Sequence, residues 1–245
     1  MQHPGETRFH EMSDGCRIAF RHAPGAGPAL VFLPGYRSEM TGTKATAIFE
    51  WAVAAGREAL LCDYSGCGAS SGDFAEGTLS RWRDEVLALI DAYIARPAIV
   101  IGSSMGGWLM LLVAERLGSA LHGLMGIAAA PDFTDWGRSD DDKARLAAGE
   151  TVWEDSPAGY DPVPFHAGFW RDGQSNRRLG GPIALDCPVR LVHGIRDTSV
   201  PWEVSQRLLA ALRSPDIHLT LVKDADHNMS REGDIALLLR TIESM

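Results

Sequence analysis

The chain has 245 residues, of which 45% are hydrophobic and 22% are charged, the composition of a folded globular domain. Its formal net charge of −9 argues against a nucleic-acid partner, because phosphate binding needs clustered lysine and arginine. Every apolar stretch is shorter than the roughly 18 residues that a membrane span needs, so we expect no stable membrane insertion.

Short apolar runs alternate with helical patterns along most of the chain. The segment RFHEMSDGCRIAFRHA predicts an antiparallel hairpin with its turn at Ser13-Asp14-Gly15. A helix beginning at Ser80 is indicated by apolar residues that recur at helical spacing. The other predicted elements are strands at 29–35, 59–66, 98–104, 121–130, 187–194 and 217–224, and helices at 41–55, 107–118, 204–214 and 235–242.

Strands that are apolar on both faces and alternate with helices predict a mostly parallel sheet with helices on both sides. The N-terminal hairpin would add antiparallel edge strands to it. Residues 132–186 interrupt the alternation and are rich in Trp, Pro, Gly and Asp, which predicts a lid inserted after the sixth strand. Within it, Ser139 precedes three aspartates and is predicted to cap a short helix. Residues 1–245 are thus expected to form a single α/β domain.

A glycine-rich turn separates the strand at 98–104 from the following helix. The stretch Gly102-Ser103-Ser104-Met105-Gly106 fits the pattern G-x-S-x-G with Ser104 in the centre. A serine at such a turn has a strained backbone and exposes its hydroxyl above the carboxyl edge of the sheet. Glycines on either side remove the Cβ atoms that would collide at so sharp a bend. This context predicts that Ser104 is a nucleophile and that Ser103 points away.

The order of elements and this turn resemble the α/β-hydrolase superfamily. The resemblance implies an acidic residue and then a histidine later in the chain, each on a loop that follows a strand. Four longer stretches resemble one mitochondrial branch of the superfamily, the abhydrolase-domain palmitoyl-protein thioesterases and acyl-glucuronide esterases, together with its bacterial relatives. That resemblance implies hydrolysis of acyl esters or thioesters. The stretches are FLPGYRSEMTGTKA, DYSGCGASSGDFAEGTLSRWRDEVL, GSSMGGWLML and CPVRLVHGIRDTSVPW.

The acid and the base can be sought from chain position. Asp197 follows a predicted strand, on a loop where a carboxylate can orient an imidazole. Asp186 precedes that strand, at the wrong edge of the sheet, and Asp226 directly precedes a histidine and would not face it. His227 follows the last strand and fits both the chain order and the topology, whereas we interpret His193 as a packing or turn residue. We therefore predict Asp197 as the acid and His227 as the base.

The remaining predicted site residues stabilise charge or bind substrate. Backbone N–H groups of Met105 and Tyr36 are predicted to form an oxyanion hole, with the Arg37 N–H as the alternative to Tyr36. The Arg37 side chain is predicted to meet a carboxylate of the substrate. Aromatic residues of the insertion either line an apolar acyl channel or pack the insertion onto the sheet. We predict Trp136 and Trp170 as the substrate-binding residues among them.

These features together predict a serine hydrolase that cleaves carboxylic esters or acyl thioesters through an acyl-enzyme, without a cofactor. The expected substrate is a small acyl ester or thioester, or an S-acylated protein. Two alternatives stay open, a peptidase or amidase with the same triad and a ligand receptor of slow turnover.

Cysteine usage and the N-terminal segment bear on location. The four cysteines form no Cys-x-x-Cys pair and have no histidine partners at metal spacing. The segment MQHPGETRFHEM is polar and lacks an apolar signal region. We therefore expect a reduced, cytoplasmic protein with no metal centre.

Overall fold

The computed structural model describes residues 5–154 and 162–245. Residues 1–4, and residues 155–161 of the insertion predicted at 132–186, lie outside the described part. The strands are β1 Arg8–Glu11, β2 Arg17–Ala23, β3 Ala26–Leu33, β4 Arg57–Cys62, β5 Ala98–Ser103, β6 Leu121–Ile127, β7 Val152–Glu154, β8 Val163–Phe165, β9 Val189–Gly194 and β10 Ile217–Val222. The helices are α1 Thr43–Ala54, α2 Leu79–Tyr93, α3 Met105–Leu117, α4 Phe133–Trp136, α5 Asp140–Ala147, α6 Ala167–Ser175, α7 Glu203–Ala211 and α8 Glu232–Glu243.

The central sheet has the strand order β1-β2-β4-β3-β5-β6-β9-β10. Strands β1 and β2 are antiparallel to their neighbours, and the pairs from β4 through β10 are parallel. The hairpin turn predicted at Ser13-Asp14-Gly15 joins β1 to β2, with Gly15 at φ +82°, a conformation that suits glycine. The predicted fold class, a mostly parallel sheet with antiparallel N-terminal edge strands, is confirmed.

Each face of the sheet has its own apolar core. On one face α2 and α3 pack against side chains such as Val31 and Val100, and on the other α1 and α8 pack against Leu30 and Phe32. Successive residues of β3 therefore point into different cores. This burial on both faces is why the central strands are continuous apolar runs, and each buried Leu, Val or Phe stabilises the fold by about 1.5–3 kcal/mol.

Strand β4 ends four residues and strand β6 three residues earlier than the apolar sequence predicts. Strand β4 stops at Cys62 because the Asp63 carboxylate turns back to accept hydrogen bonds from the N–H groups of Met40 (2.7 Å) and Ala69 (3.0 Å). Strand β6 stops at Ile127 because Ala128 adopts φ +45°, which no extended strand permits. The residues beyond each strand end, such as Tyr64 and Ala129, are buried although they do not extend the strands.

The insertion follows β6, the sixth strand, as predicted, and returns to the sheet at β9. Its helix α5 begins after Ser139, whose Oγ accepts the N–H of Asp142 at 3.1 Å, so the predicted cap is confirmed. Strands β7 and β8 form a separate antiparallel pair. Among residues 5–154 and 162–245, no helix has the length and apolar character that a bilayer crossing would require.

Candidate active site

Three polar residues meet at the carboxyl edge of the sheet because each follows a parallel strand. Ser104 comes directly after β5, Asp197 follows β9 and His227 follows β10. Ser104 Oγ lies 3.1 Å from His227 Nε2, and His227 Nδ1 lies 2.7 Å from Asp197 Oδ2. The structure thus joins the three predicted residues in one hydrogen-bonded chain.

The turn at Ser104 requires the glycines around it. Ser104 has φ +55°, a strained conformation for a residue with a side chain. A Cβ on Gly102 would lie 2.2 Å from the carbonyl oxygen of Gly106, and one on Gly106 would lie 2.1 Å from that of Leu33. Ser104 is therefore held, half-buried, at a bend that β5 and α3 form by close backbone approach. Ser103 is still part of β5 and faces a different cavity, beside Gly35 and Lys44.

The carboxylate of Asp197 is fully buried and held on both oxygens. Oδ1 accepts the N–H groups of Ser199 and Val200, both at 2.8 Å, and Oδ2 faces His227 and His193. Burial raises the pKa of Asp197, but hydrogen bonds from His193, His227 and the Val200 N–H outweigh it and hold that pKa well below its ordinary value. The ionised carboxylate only accepts hydrogen bonds, so His227 carries its proton on Nδ1 and Nε2 can accept the Ser104 hydroxyl.

The loop that carries His227 is fixed on both sides. Asp226 does not face the imidazole, because its Oδ1 accepts the N–H groups of Asn228 (3.0 Å) and Met229 (3.2 Å). From α1, the Lys44 ammonium donates to the carbonyl oxygen of Asn228. Burial lowers the pKa of Lys44, an effect opposed by the nearby carboxylates of Asp226 and Asp197. Asp226 and Lys44 thus shape the loop and leave Asp197 as the carboxylate partner of His227.

The residues predicted for the oxyanion hole line the same cavity as Ser104. This cavity has a volume of about 340 Å³, and its walls include Tyr36, Met105 and His227. Met105 is the first residue of α3, where backbone N–H groups have no partner in the helix and the helix dipole favours negative charge. The loop that carries Tyr36 is anchored because the Tyr64 hydroxyl donates to the carbonyl oxygen of Pro34 at 3.0 Å.

The predicted substrate-binding side chains do not all reach this cavity. Trp136 lines it and donates its indole N–H to the carbonyl oxygen of Pro131 at 2.7 Å. Trp170 lies outside the cavity lining, because its indole N–H is bound 3.1 Å from the Thr134 carbonyl oxygen inside the insertion. Trp170 therefore packs the insertion, and its predicted contact with substrate is corrected.

Arg37 also lies away from Ser104. Its backbone has φ +60°, and its guanidinium lies 5.8 Å from the ring centre of Phe74, in a separate cleft that includes Cys67 and His166. The predicted contact between Arg37 and a substrate carboxylate at Ser104 is therefore corrected. The Arg37 side chain lies among the residues of the Phe74 cleft and is not part of the wall of the Ser104 cavity.

Residues that the sequence did not predict as part of the site complete its surroundings. Arg138 and Glu154 line the cavity as an ion pair, and the Arg138 guanidinium lies 3.7 Å from the ring centre of Phe165. Arg138 stands directly before a helix cap, which masked any signal of its role. His193 contacts Asp197. It lies four residues before Asp197, near the end of β9, and this position in the sequence could have indicated the contact. The cavity wall is therefore mixed in polarity.

Comparison with known proteins agrees with this geometry. Residues 30–235 match the alpha/beta hydrolase family. The chain belongs to that family. The resemblance inferred from the sequence motifs is confirmed, and family membership supports hydrolase chemistry.

The relatives cover nearly the whole chain. Palmitoyl-protein thioesterase ABHD10, mitochondrial, from Homo sapiens is 36% identical over 242 residues, which are 97% of this chain and 79% of that protein. Among solved structures, alpha/beta hydrolase domain-containing protein 10 from mouse has a TM-score of 0.90 and 34% identity, covering 98% of this chain and 97% of the other. A putative hydrolase from Agrobacterium vitis S4 has a TM-score of 0.91 and 37% identity, with 99% of each chain covered.

Proposed function

We propose that this protein is a serine hydrolase that cleaves carboxylic esters or acyl thioesters through an acyl-enzyme. The observation that carries the proposal is the chain of contacts from Ser104 Oγ to His227 Nε2 (3.1 Å) and from His227 Nδ1 to Asp197 Oδ2 (2.7 Å). The relatives named as palmitoyl-protein thioesterases add support for acyl thioesters as substrates.

In the proposed reaction Ser104 Oγ attacks the acyl carbonyl carbon while His227 Nε2 takes the hydroxyl proton. The carbonyl electrons move onto oxygen, and the N–H groups of Met105 and Tyr36 stabilise the resulting oxyanion. Collapse of this intermediate breaks the bond to the leaving alcohol or thiol, which receives the proton from His227. Water then repeats the sequence on the acyl-enzyme, with His227 as its base, and the free acid is released.

Asp197 supports this cycle without exchanging protons. Its carboxylate accepts the Nδ1–H of His227 and stabilises the imidazolium that forms when Ser104 attacks. Because the pKa of Asp197 is held well below its ordinary value, the carboxylate stays ionised throughout the neutral and mildly acidic range.

The proposed acyl group is apolar and of short to medium length. Met105, Phe133, Trp136 and Val200 supply apolar wall, and a volume of about 340 Å³ is at the small end of ligand pockets. The Arg138–Glu154 pair in the same wall disfavours a long alkyl chain, since covering an ion pair with hydrocarbon costs solvation free energy.

The partners and the location belong to the same proposal. We propose a small acyl ester or thioester, or an S-acylated protein, as the substrate, and no cofactor. The curated relatives are named as mitochondrial proteins, and that location is theirs. For this chain a cytoplasmic location is the proposal, and fractionation of the producing cells followed by immunodetection would test it.

The proposed function is tested with p-nitrophenyl esters and acyl thioesters of increasing chain length. We expect Ser104→Ala to lower kcat at least about 1,000-fold, because the nucleophile is lost, and to abolish labelling by a fluorophosphonate. Ser103→Ala is the matched control, since Ser103 faces another cavity, and it should stay within about threefold of wild type.

Three other outcomes would contradict the proposal. Turnover that does not depend on Ser104 would exclude this residue as the nucleophile. Faster cleavage of peptide amides than of matched esters would indicate a peptidase. Tight binding of an acyl ligand by wild type, with no turnover of any ester or thioester, would indicate a receptor.

A further inference from the structure

Behind the proposed triad lies a second histidine. His193 lies near the carboxyl end of β9, four residues before Asp197, and its side chain is fully buried. Its Nε2 lies 3.1 Å from Asp197 Oδ2 and 3.0 Å from the carbonyl oxygen of Val200. Its Nδ1 lies 2.7 Å from Ser205 Oγ, on α7. Both ring nitrogens are therefore paired, as a buried imidazole requires.

The surroundings of His193 determine where its proton is. A backbone carbonyl and an ionised carboxylate are both acceptors only, so Nε2 must carry the hydrogen that faces Val200 and Asp197. In the neutral ring Nδ1 then accepts the hydroxyl hydrogen of Ser205. His193 has its proton on Nε2 and His227 has its proton on Nδ1, and both rings direct an N–H at Oδ2 of the same carboxylate.

The contact between His193 and Asp197 fixes Oδ2, the carboxylate oxygen that orients His227 in the proposed reaction. Oδ1 of Asp197 is held by the N–H groups of Ser199 and Val200. Without His193, Oδ2 would be held only by His227, the group that it has to orient. With His193 in place, the plane of the carboxylate is defined independently of His227, which moves its proton during each cycle.

We propose that His193 is a positioning residue, which holds Asp197 Oδ2 in place for His227 through its Nε2–H, with Ser205 fixing the ring behind it. The inference rests on the proposed function, because it concerns the same serine, histidine and aspartate. It adds two residues, one of which sequence reasoning assigned to packing or turn formation.

The test compares side chains at position 193 that differ in where they place a hydrogen-bond donor. In His193→Gln the amide nitrogen takes the place of Nε2 and can still donate to Asp197. In His193→Met the chain has similar length and no donor, and in His193→Asn the amide is placed at the Nδ1 side, toward Ser205. Active sites are titrated with a fluorophosphonate, so that kcat refers to folded, reactive enzyme alone.

We expect His193→Met and His193→Asn to lower kcat per titrated site about 10- to 100-fold with KM changed less than about twofold, because a hydrogen bond to a charged group is lost. His193→Gln should restore kcat to within about fivefold of wild type. Ser205→Ala should also lower kcat per titrated site, by a smaller factor than His193→Met does. If His193→Met does not fold, the Gln and Asn variants supply the same comparison.

Equal kcat per titrated site in the Gln, Asn and Met variants would overturn the inference, whether or not stability falls, because a packing role does not depend on donor position. So would a loss confined to KM or to the number of active sites. Wild type and Ser104→Ala are assayed alongside. If wild type shows no Ser104-dependent turnover, the proposed function itself fails, and that outcome is distinct from a wild type that turns over while the variants match it.

Discussion

At the residue scale, the backbone conformation of Ser104 depends on two nearby glycines, Gly102 and Gly106. Its positive φ exposes Oγ to His227, and the bend brings the carbonyl of Leu33 next to Gly106. A strained serine of this kind persists only when the surrounding backbone holds it, at a local cost of about 1–3 kcal/mol. Gly102 and Gly106 therefore restrict substitution as strongly as Ser104 does.

Gly106→Ala should lower the free energy of unfolding by about 3 kcal/mol or more, because the new Cβ would lie 2.1 Å from the carbonyl oxygen of Leu33. Gly233→Ala on α8 is the matched control. Nothing lies within 4 Å of its Cβ, and we expect a change of less than about 1 kcal/mol. Chemical unfolding of both variants measures the difference. Equal stabilities would show that β3 and α3 are not held as close as the structure indicates.

At the element scale, the two ends of the insertion are tied by one side chain. Asp132 has φ +60° and is buried, and its carboxylate accepts the N–H groups of Arg178 and Leu179, each at 2.8 Å. This joins the start of the insertion, beside the Ser104 cavity, to the segment that leads back to β9. The position of Phe133 and Trp136 in the cavity wall depends on that tie.

Asp132→Ala should lower the free energy of unfolding by about 2–4 kcal/mol, because two charge-assisted hydrogen bonds are lost and alanine disfavours a positive φ. Asp132→Asn should cost roughly half as much, since its oxygen can still accept and asparagine tolerates this conformation. Hydrogen exchange at Arg178 and Leu179 should rise first.

The control for this prediction is a neighbouring aspartate with exposed partners. Asp135 pairs with Lys143 and Arg177 while about a third exposed, so Asp135→Ala should change stability by less than about 1 kcal/mol. Equal losses at Asp132 and Asp135 would contradict the proposed tie.

At the scale of the whole molecule, strand order brings together groups that are far apart in the chain. Ser104 and His227 are 123 residues apart, and β6 and β9 lie between β5 and β10 in the sheet. The buried Asp197 carboxylate links two of these strand ends, and so its ionisation is coupled to the stability of the entire fold.

The sign of that coupling follows from the lowered pKa of Asp197. The carboxylate stabilises the fold fully above the pKa of the unfolded chain, about 3.9, and this contribution disappears as pH falls through the lower pKa of the folded state. Asp197→Asn should therefore be less stable than wild type at neutral pH, and the part of this difference that comes from the ionised carboxylate should shrink only below about pH 4.

Urea unfolding of wild type and Asp197→Asn at a series of pH values measures this difference. A gap that closes between pH 7 and pH 5 would contradict a lowered pKa. The Asp135→Asn variant is the control, because the ion pairs of Asp135 with Lys143 and Arg177 are partly exposed.

The sequence by itself determined what depends on local pattern and chain order. Apolar runs that suit two buried faces predicted the strands, and the glycines around Ser104 predicted the turn, because both are short-range steric and solvation effects. The chain order implied by the resemblance to the α/β-hydrolase superfamily, applied to the predicted strand ends, then predicted Asp197 and His227, since parallel strands bring their carboxyl ends to one edge.

Only the tertiary structure decided where long side chains point. Arg37 was expected beside Ser104 but turns to the Phe74 cleft after a positive φ, and Trp170 is bound within the insertion by the Thr134 carbonyl. His193 gained its contact with Ser205 from helix α7, and Arg138 gained its partner Glu154 from strand β7. Side-chain direction is set by the packing of several elements at once, and no single stretch of sequence contains that information.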